Sequence, residues 1–284
     1  MENIQRNMLA KIVHSQTEYK KSISNSINTV VCAYMDIQSN FKTARTAIYR
    51  EFIDIDLVKW QSIYLEEILE HKLDGHLFNV FSLWNKLTRI SEPIHSQLLS
   101  FLLSRDSLHG QGNTFLHLLL KQLNIVDPEQ GIWNVFTEYG GADILIKRTS
   151  PISVVIIENK SNWAADQPNQ LYRYWYRHIY QQTRQKSNYY YEKHSTELMI
   201  IYLSPNENKR LDNQTLLRPP IEWFGYLSFE EYASLPDIVP VKIKTFSFYS
   251  DIARWLTECI ETLPISNYPL REYIRQYQNY CKTL

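Results

Sequence analysis

At 284 residues the chain has room for one substantial hydrophobic core, or for one core with a helical extension. Its 30 Lys and Arg balance 30 Asp and Glu, which excludes the bulk basic field behind strong non-specific binding to nucleic acid, so any such surface must be local. Three cysteines, Cys32, Cys259 and Cys281, show no metal-ligand spacing and fit reduced thiols of a soluble, cytoplasmic protein, and no apolar run is long enough for a signal peptide or a membrane span.

Two domains are expected. Residues 1–75 read as a helical N-terminal extension: Gly75 is the first glycine and Pro93 the first proline, so long helices can run unbroken, with Ile53, Val58, Ile63 and Leu65 among their apolar positions. No catalytic pattern occurs there. Such an extension suits a homodimer, a clamp on substrate or a docking partner protein, and the sequence does not choose among them.

Residues 76–284 read as an α/β domain. A helix is expected from about Ser91, with Glu92 favouring its N-terminus through the macrodipole. His95 and His109 are candidates for holding phosphate or protonating a leaving group, set against the structural role of most lone histidines. Glu138 is either an outer acid of a site or a surface strand residue.

The informative stretch follows. Val154 to Ile157 is short, β-branched and bounded by turn residues, the pattern of a strand buried on both faces, and it runs directly into Glu158-Asn159-Lys160. A carboxylate and an ammonium at the end of such a strand cost several kcal/mol unless paired or bound to a cation. If Ala142 to Lys147 and Ser153 to Lys160 form a hairpin around Thr149 to Ile152, Lys147 lies opposite Val154 and Asp143 opposite Glu158. Directly opposed residues share a face at roughly 4.5 to 5.5 Å between Cβ atoms, close enough to grip one divalent ion. Lys160 joins that face by the period of two. Oxygen ligands of this kind suit Mg²⁺ or Mn²⁺, with the lysine orienting a water or offsetting charge in the transition state.

A helix is expected next, with Asp166 as N-cap and Pro168 in its first turn. Leu171, Trp175 and Ile179 form its sheet-packing stripe, and Gln170, Tyr174 and Arg177 another. Between Lys160 and Arg218 nine Lys or Arg face five Asp or Glu. Arg173, Arg177 and Lys186, with Tyr174, are therefore the candidate nucleic-acid contacts, though a solvated helix face would look alike. Tyr189-Tyr190-Tyr191 either stacks on exposed bases or is an ordinary, partly buried aromatic loop. A strand from Leu198 to Leu203, parallel to the Glu158 strand across a right-handed crossover, is followed by a strand from Val241 to Phe248 and helices at Asp251 to Leu263 and Tyr268 to Cys281.

Asp143 followed by Glu158-Asn159-Lys160 resembles the core motif of the PD-(D/E)XK nuclease superfamily. An uncharacterised bacterial branch is especially similar, matching Glu92 to Ser96, His109-Gly110-Gln111-Gly112, Ile157 to Lys160 and Gln170 to Tyr174 in order; the likeness covers about Phe78 to Tyr280. The resemblance implies a restriction-endonuclease-like core, a mixed central sheet flanked by helices. It also implies a Mg²⁺- or Mn²⁺-dependent phosphodiesterase, endonuclease rather than exonuclease, acting on DNA, with RNA as the alternative substrate. Asp143, Glu158 and Glu92 would be metal ligands, and Lys160 and Gln170 catalytic or supporting groups. One departure is Gly140-Gly141-Ala142 before Asp143, where relatives often carry an arginine; it removes a cation from the edge of the site. Antiviral defence is the biological role suggested by analogy. The rival reading is a silent nucleic-acid or protein-binding module on the same fold.

Overall fold

The computed structural model describes residues 78–284 throughout, and of the N-terminal part residues 18, 20–30, 32, 58–73 and 75. It divides into two compact units, Met1–Phe78 and Asn79–Leu284. In the first, residues 20–30 are helical and α1 spans Val58–Leu73. The expected apolar positions Ile63 and Leu65 are exposed on α1, as are Trp60 and Leu69; Ile53 lies outside the described residues.

The second unit is α/β, as expected. Its helices are α2 (Val80–Thr88), α3 (Glu92–Leu103) and α4 (Thr114–Gln122), then α5, which starts as Gln170–Tyr174, continues as a π-helical stretch Trp175–Tyr180 and ends with Gln181–Thr183. Short helices α6 (Asn188–Lys193), α7 (Ile221–Phe224) and α8 (Phe229–Ala233) follow, and α9 (Ala253–Thr262) and α10 (Tyr268–Cys281) close the chain. Five strands, β1 (Asn134–Tyr139), β2 (Ala142–Thr149), β3 (Ile152–Asn159), β4 (Leu198–Ser204) and β5 (Lys242–Ser247), form one sheet in sequential order. The pairs β1·β2 and β2·β3 are antiparallel, whereas β3·β4 and β4·β5 are parallel. The sheet is therefore mixed, and its parallel half needs the crossover helices that cover it.

Helices lie on both faces. On one, Val155 and Ile157 pack with Leu99, Phe115, Trp255 and Tyr277 from α3, α4, α9 and α10; on the other, Val154 and Ile156 pack with Leu171, Trp175 and Ile179 of α5. The expected α5 stripe is thus buried against the sheet. Val154 to Ile156 are fully buried and Ile157 nearly so, and each side chain gains about 1.5–3 kcal/mol from leaving water.

The hairpin register is the one the sequence predicts. Lys147 pairs with Val154 and Ile144 with Ile157, so the next pair along sets Asp143 opposite Glu158. A buried arginine fixes this hairpin from behind: Arg148 donates to Ser153 Oγ and to the carbonyls of Val126, Asp127 and Gln130, with its guanidinium over Trp133.

One expectation at α5 is overturned. Asp166 does not cap the helix; Asn169, left-handed at φ 61°, precedes it, and the Asp166 carboxylate instead accepts from the Tyr202 hydroxyl and the Asp212 amide. Tyr189 to Tyr191 form part of α6, with Tyr191 fully buried against Trp175 and Tyr189 exposed, so the triplet is not one stacking surface. Among the described residues no helix is long and apolar enough to cross a membrane.

Candidate active site

The C-terminal end of β3 is where the chain departs from ordinary packing. Residues of one parity face α5: Glu158 continues the Val154, Ile156 side, and Asp143 shares it across the register. Glu158 and Lys160 are 2% and 4% exposed, and Lys160 Nζ lies 2.7 Å from Glu158 Oε1. The lysine also donates to Gln170 Oε1 at 3.3 Å, and Gln170 Nε2 donates to the Tyr174 hydroxyl at 2.7 Å. Asp143 Oδ2 accepts from the Asn159 amide at 2.6 Å. Five side chains from β2, β3 and α5 thus form one polar line in an apolar wall.

Burial dominates their electrostatics. Burial, then the neighbouring Asp143 carboxylate, pushes the Glu158 carboxyl up to about 8 despite the Lys160 amine. Burial raises Asp143 as well, against the pull of the Asn159 amide, the adjoining Glu158 carboxyl and the Lys160 amine. Glu158 Oε2 is buried and makes no hydrogen bond of normal geometry among the described residues, although the Tyr174 hydroxyl lies near enough to influence its titration. An unpartnered buried carboxylate oxygen beside a second carboxylate fits a divalent ion, which would displace the proton that burial otherwise favours. Among the described residues no three His, Cys, Asp or Glu side chains converge as for a metal. Asp143 and Glu158 are the two carboxylates that could together hold a divalent ion here, Mg²⁺ being suited to few protein ligands completed by water and phosphate.

Residues of the opposite parity build the frame. Asn159, the middle residue of the Glu-x-Lys triplet, donates from Nδ2 to Glu92 O and Ser96 Oγ of α3, while its Oδ1 accepts from the Ser161 amide. Glu92 Oε1 accepts from the amides of Asn162 and Ala164, so its carboxylate braces the loop after Lys160 while remaining within electrostatic reach of Asp143. On the Glu158 side of the sheet, Tyr202 of β4 pairs with Glu158 and anchors Asp166. Sequence reading assigned no role to Asn159, Asn162 or Tyr202; only the position of Asn159 inside the triplet offered a signal.

The other candidates separate. His95 is sealed among Tyr277, Tyr280 and Phe248, bonded to the Tyr277 hydroxyl, with its pKa lowered to about 4 by burial. His109 bonds Ser104 O and receives the Gln111 amide, bracing its own loop. Glu138 is exposed on β1. Tyr174 is buried and turned to Gln170. Arg173 is half-buried and reaches Gln167; Lys186 is bonded to Ser234 at the far end of α5. Arg177 is exposed and donates to Gly140 O at 2.9 Å, where it restores a cation beside the Gly-Gly turn. That turn needs glycine: φ is 61° and 92°, and a Cβ on Gly140 would meet the His178 ring at 2.6 Å.

Comparison with known proteins agrees with this geometry. No curated protein and no solved structure matches the chain. The family model described as PD-(D/E)XK nuclease superfamily matches residues 78–279, which contain every strand of the sheet and the whole polar line. With a mixed sheet that sets an acid opposite a Glu-x-Lys strand end, the chain belongs to the PD-(D/E)XK nuclease superfamily.

Proposed function

We propose that the chain is a Mg²⁺-dependent nuclease, Mn²⁺ substituting, that cleaves phosphodiester bonds within DNA, and that it serves in defence against foreign DNA. The observation that carries the catalytic part is the buried Glu158 carboxylate, with one oxygen on Lys160 and the other unpartnered beside Asp143. The defence role rests on family analogy alone.

Asp143 and Glu158 would hold the ion, whose chemistry is to polarise a phosphoryl oxygen and acidify a water. Lys160, fixed between Glu158 and Gln170, orients the attacking water and offsets charge developing on the phosphoryl oxygens. Gln170 and Tyr174 hold the lysine in place, and Glu92 fixes the loop that follows it. Arg177, at the edge, is placed to meet substrate phosphate.

The test is incubation of the whole chain with supercoiled plasmid, linear duplex, single-stranded DNA and RNA in Mg²⁺, Mn²⁺ or EDTA, beside Glu158→Ala. Metal-dependent cutting of closed circular DNA that the variant lacks is expected. Cutting of RNA alone would move the substrate to RNA, and binding without cutting in any metal would establish a silent binding module.

A further inference from the structure

Next to the polar line, on the outer side of α5, lies a small cavity of about 150 Å³ lined by Tyr176, Arg177, Gln181, Trp223, Phe224 and Tyr226. Its walls are aromatic and its mouth is charged. Trp223 is half-buried, Tyr226 is 68% exposed, and the Arg177 guanidinium sits 5.1 Å above the Trp223 ring. Polar atoms rim one side, where the Tyr226 hydroxyl meets the Tyr176 hydroxyl at 3.0 Å and Gln181 Nε2 at 3.4 Å.

The cavity is joined to the site through the Gly140-Gly141 turn. Arg177 donates to Gly140 O in the turn that leads into Asp143. A Cβ on Gly141 would lie 3.4 Å from both Arg177 Nη1 and Tyr174 Cε1. Tyr174 is the ring whose hydroxyl secures Gln170, and Gln170 secures Lys160. Cavity and polar line therefore share a wall, one helical turn apart along α5.

We propose that this cavity is a subsite for one unpaired base of single-stranded DNA, flanking the phosphate to be cut. An indole and a guanidinium offer flat faces that any base can stack on, without reading its sequence. The Tyr226 and Gln181 rim offers hydrogen bonds to a base edge, and the volume accepts one planar ring system but not a base pair. The chain's balanced charge makes such stacking the more needed, because the sequence supplies no broad basic field to hold a strand. The subsite rests on the nuclease reading above, and it adds strand preference: single-stranded DNA, or a frayed or overhanging end, over blunt duplex.

The test is fluorescence anisotropy of the full chain in EDTA, where nothing is cut, with a short labelled single-stranded DNA and the same sequence as blunt duplex. Wild type is expected to favour the single strand. Trp223→Ala and Tyr226→Ala should each weaken single-strand binding about tenfold and leave duplex binding unchanged, while Trp223→Phe recovers most of the loss. Tyr226 is largely exposed, so its variant answers the question even if Trp223→Ala unfolds. Single-strand affinity that survives Tyr226→Ala unchanged, or equal losses on both strand forms, overturns the subsite while leaving the nuclease reading standing. A wild type that binds neither DNA form likewise overturns the subsite, whereas the nuclease reading stands or falls on the cleavage assay above.

Discussion

Two adjacent residues at the end of β3, Glu158 and Asn159, face opposite sides of the sheet and are equally buried, yet their surroundings differ in kind. Asn159 has partners for both ends of its amide, in α3 and in the following turn. Glu158 has an amine on one oxygen, an unpartnered second oxygen and a carboxylate neighbour that raises its pKa. A satisfied buried polar group specifies architecture; one left incomplete beside a like charge is strain the fold tolerates for something the protein binds. The face toward α3 and α10 should therefore govern stability, and the face toward α5 should govern chemistry.

The largest effect that sharpens this contrast is expected at Lys160. Lys160→Met removes the amine, and the carboxyls left behind can take up protons because burial already favours their neutral forms, so no bare buried anion results. Cleavage should fall on the order of 10²- to 10³-fold or more, with the melting midpoint within a few degrees of wild type. Unfolding of Lys160→Met, or cleavage at the wild-type rate, would break the contrast by making the pair structural.

The opposite face predicts a pH effect on stability without one on chemistry. His95 has its folded pKa lowered to about 4 by burial from an ordinary value of 6.5, and the groups facing it, Tyr277 and Tyr280, have theirs raised and stay neutral in this range. The unfolded chain thus binds the proton first. The contribution is intact above pH 6.5 and is lost as pH falls toward 4, by roughly 3 kcal/mol. His109, His117 and His178 are lowered in the same direction. Denaturation at pH 7 and pH 4.5 measures the net slope, to which the raised Glu158 carboxyl adds the opposite sign in both proteins; the loss on acidification should shrink in His95→Gln, and an unchanged slope would assign acid sensitivity to the other three histidines. Smaller again is Asn159→Ala, which leaves the Ser161 amide without its acceptor and takes from Glu92 O one of its donors, the Ser96 hydroxyl remaining, and should cost about 2 kcal/mol by denaturant titration.

The same division explains what was legible in the sequence. Local rules carried the β2–β3 register, because a buried β-branched strand and a short turn leave few ways to align it. They carried the boundaries of α10 and the α5 stripe for the same reason. What escaped was set by distant partners. Asp166 has the residue type of a helix cap, but Tyr202 and Asp212, 36 and 46 positions away, claim its oxygens, and the helix starts at Gln170 instead. The π-helical Trp175–Tyr180 has no local marker, and Arg177 reached the site edge only because that helix passes the Gly140-Gly141 turn. Tyr174 combines both cases. Its place in the second α5 stripe made it a candidate nucleic-acid contact, but it is buried, and its hydroxyl is the end of the line from Lys160.

Tyr174 is thus the residue on which the contrast between frame and chemistry turns. Tyr174→Phe keeps the ring against Gly141 and removes the acceptor for Gln170 Nε2 together with the hydroxyl beside Glu158, so packing should survive and the melting midpoint should hold. Gln170 would then be held through its oxygen alone, by Lys160, and a lysine on a looser mount spends less time aligned with the water it orients. One hydrogen bond is worth about 1 kcal/mol net, which corresponds to a loss of about fivefold in cleavage rate. Single-turnover rates at saturating Mg²⁺ would read it. A loss beyond a hundredfold would place the hydroxyl among the reacting groups, and no loss would show that Lys160 and Glu158 fix each other without help from the helix.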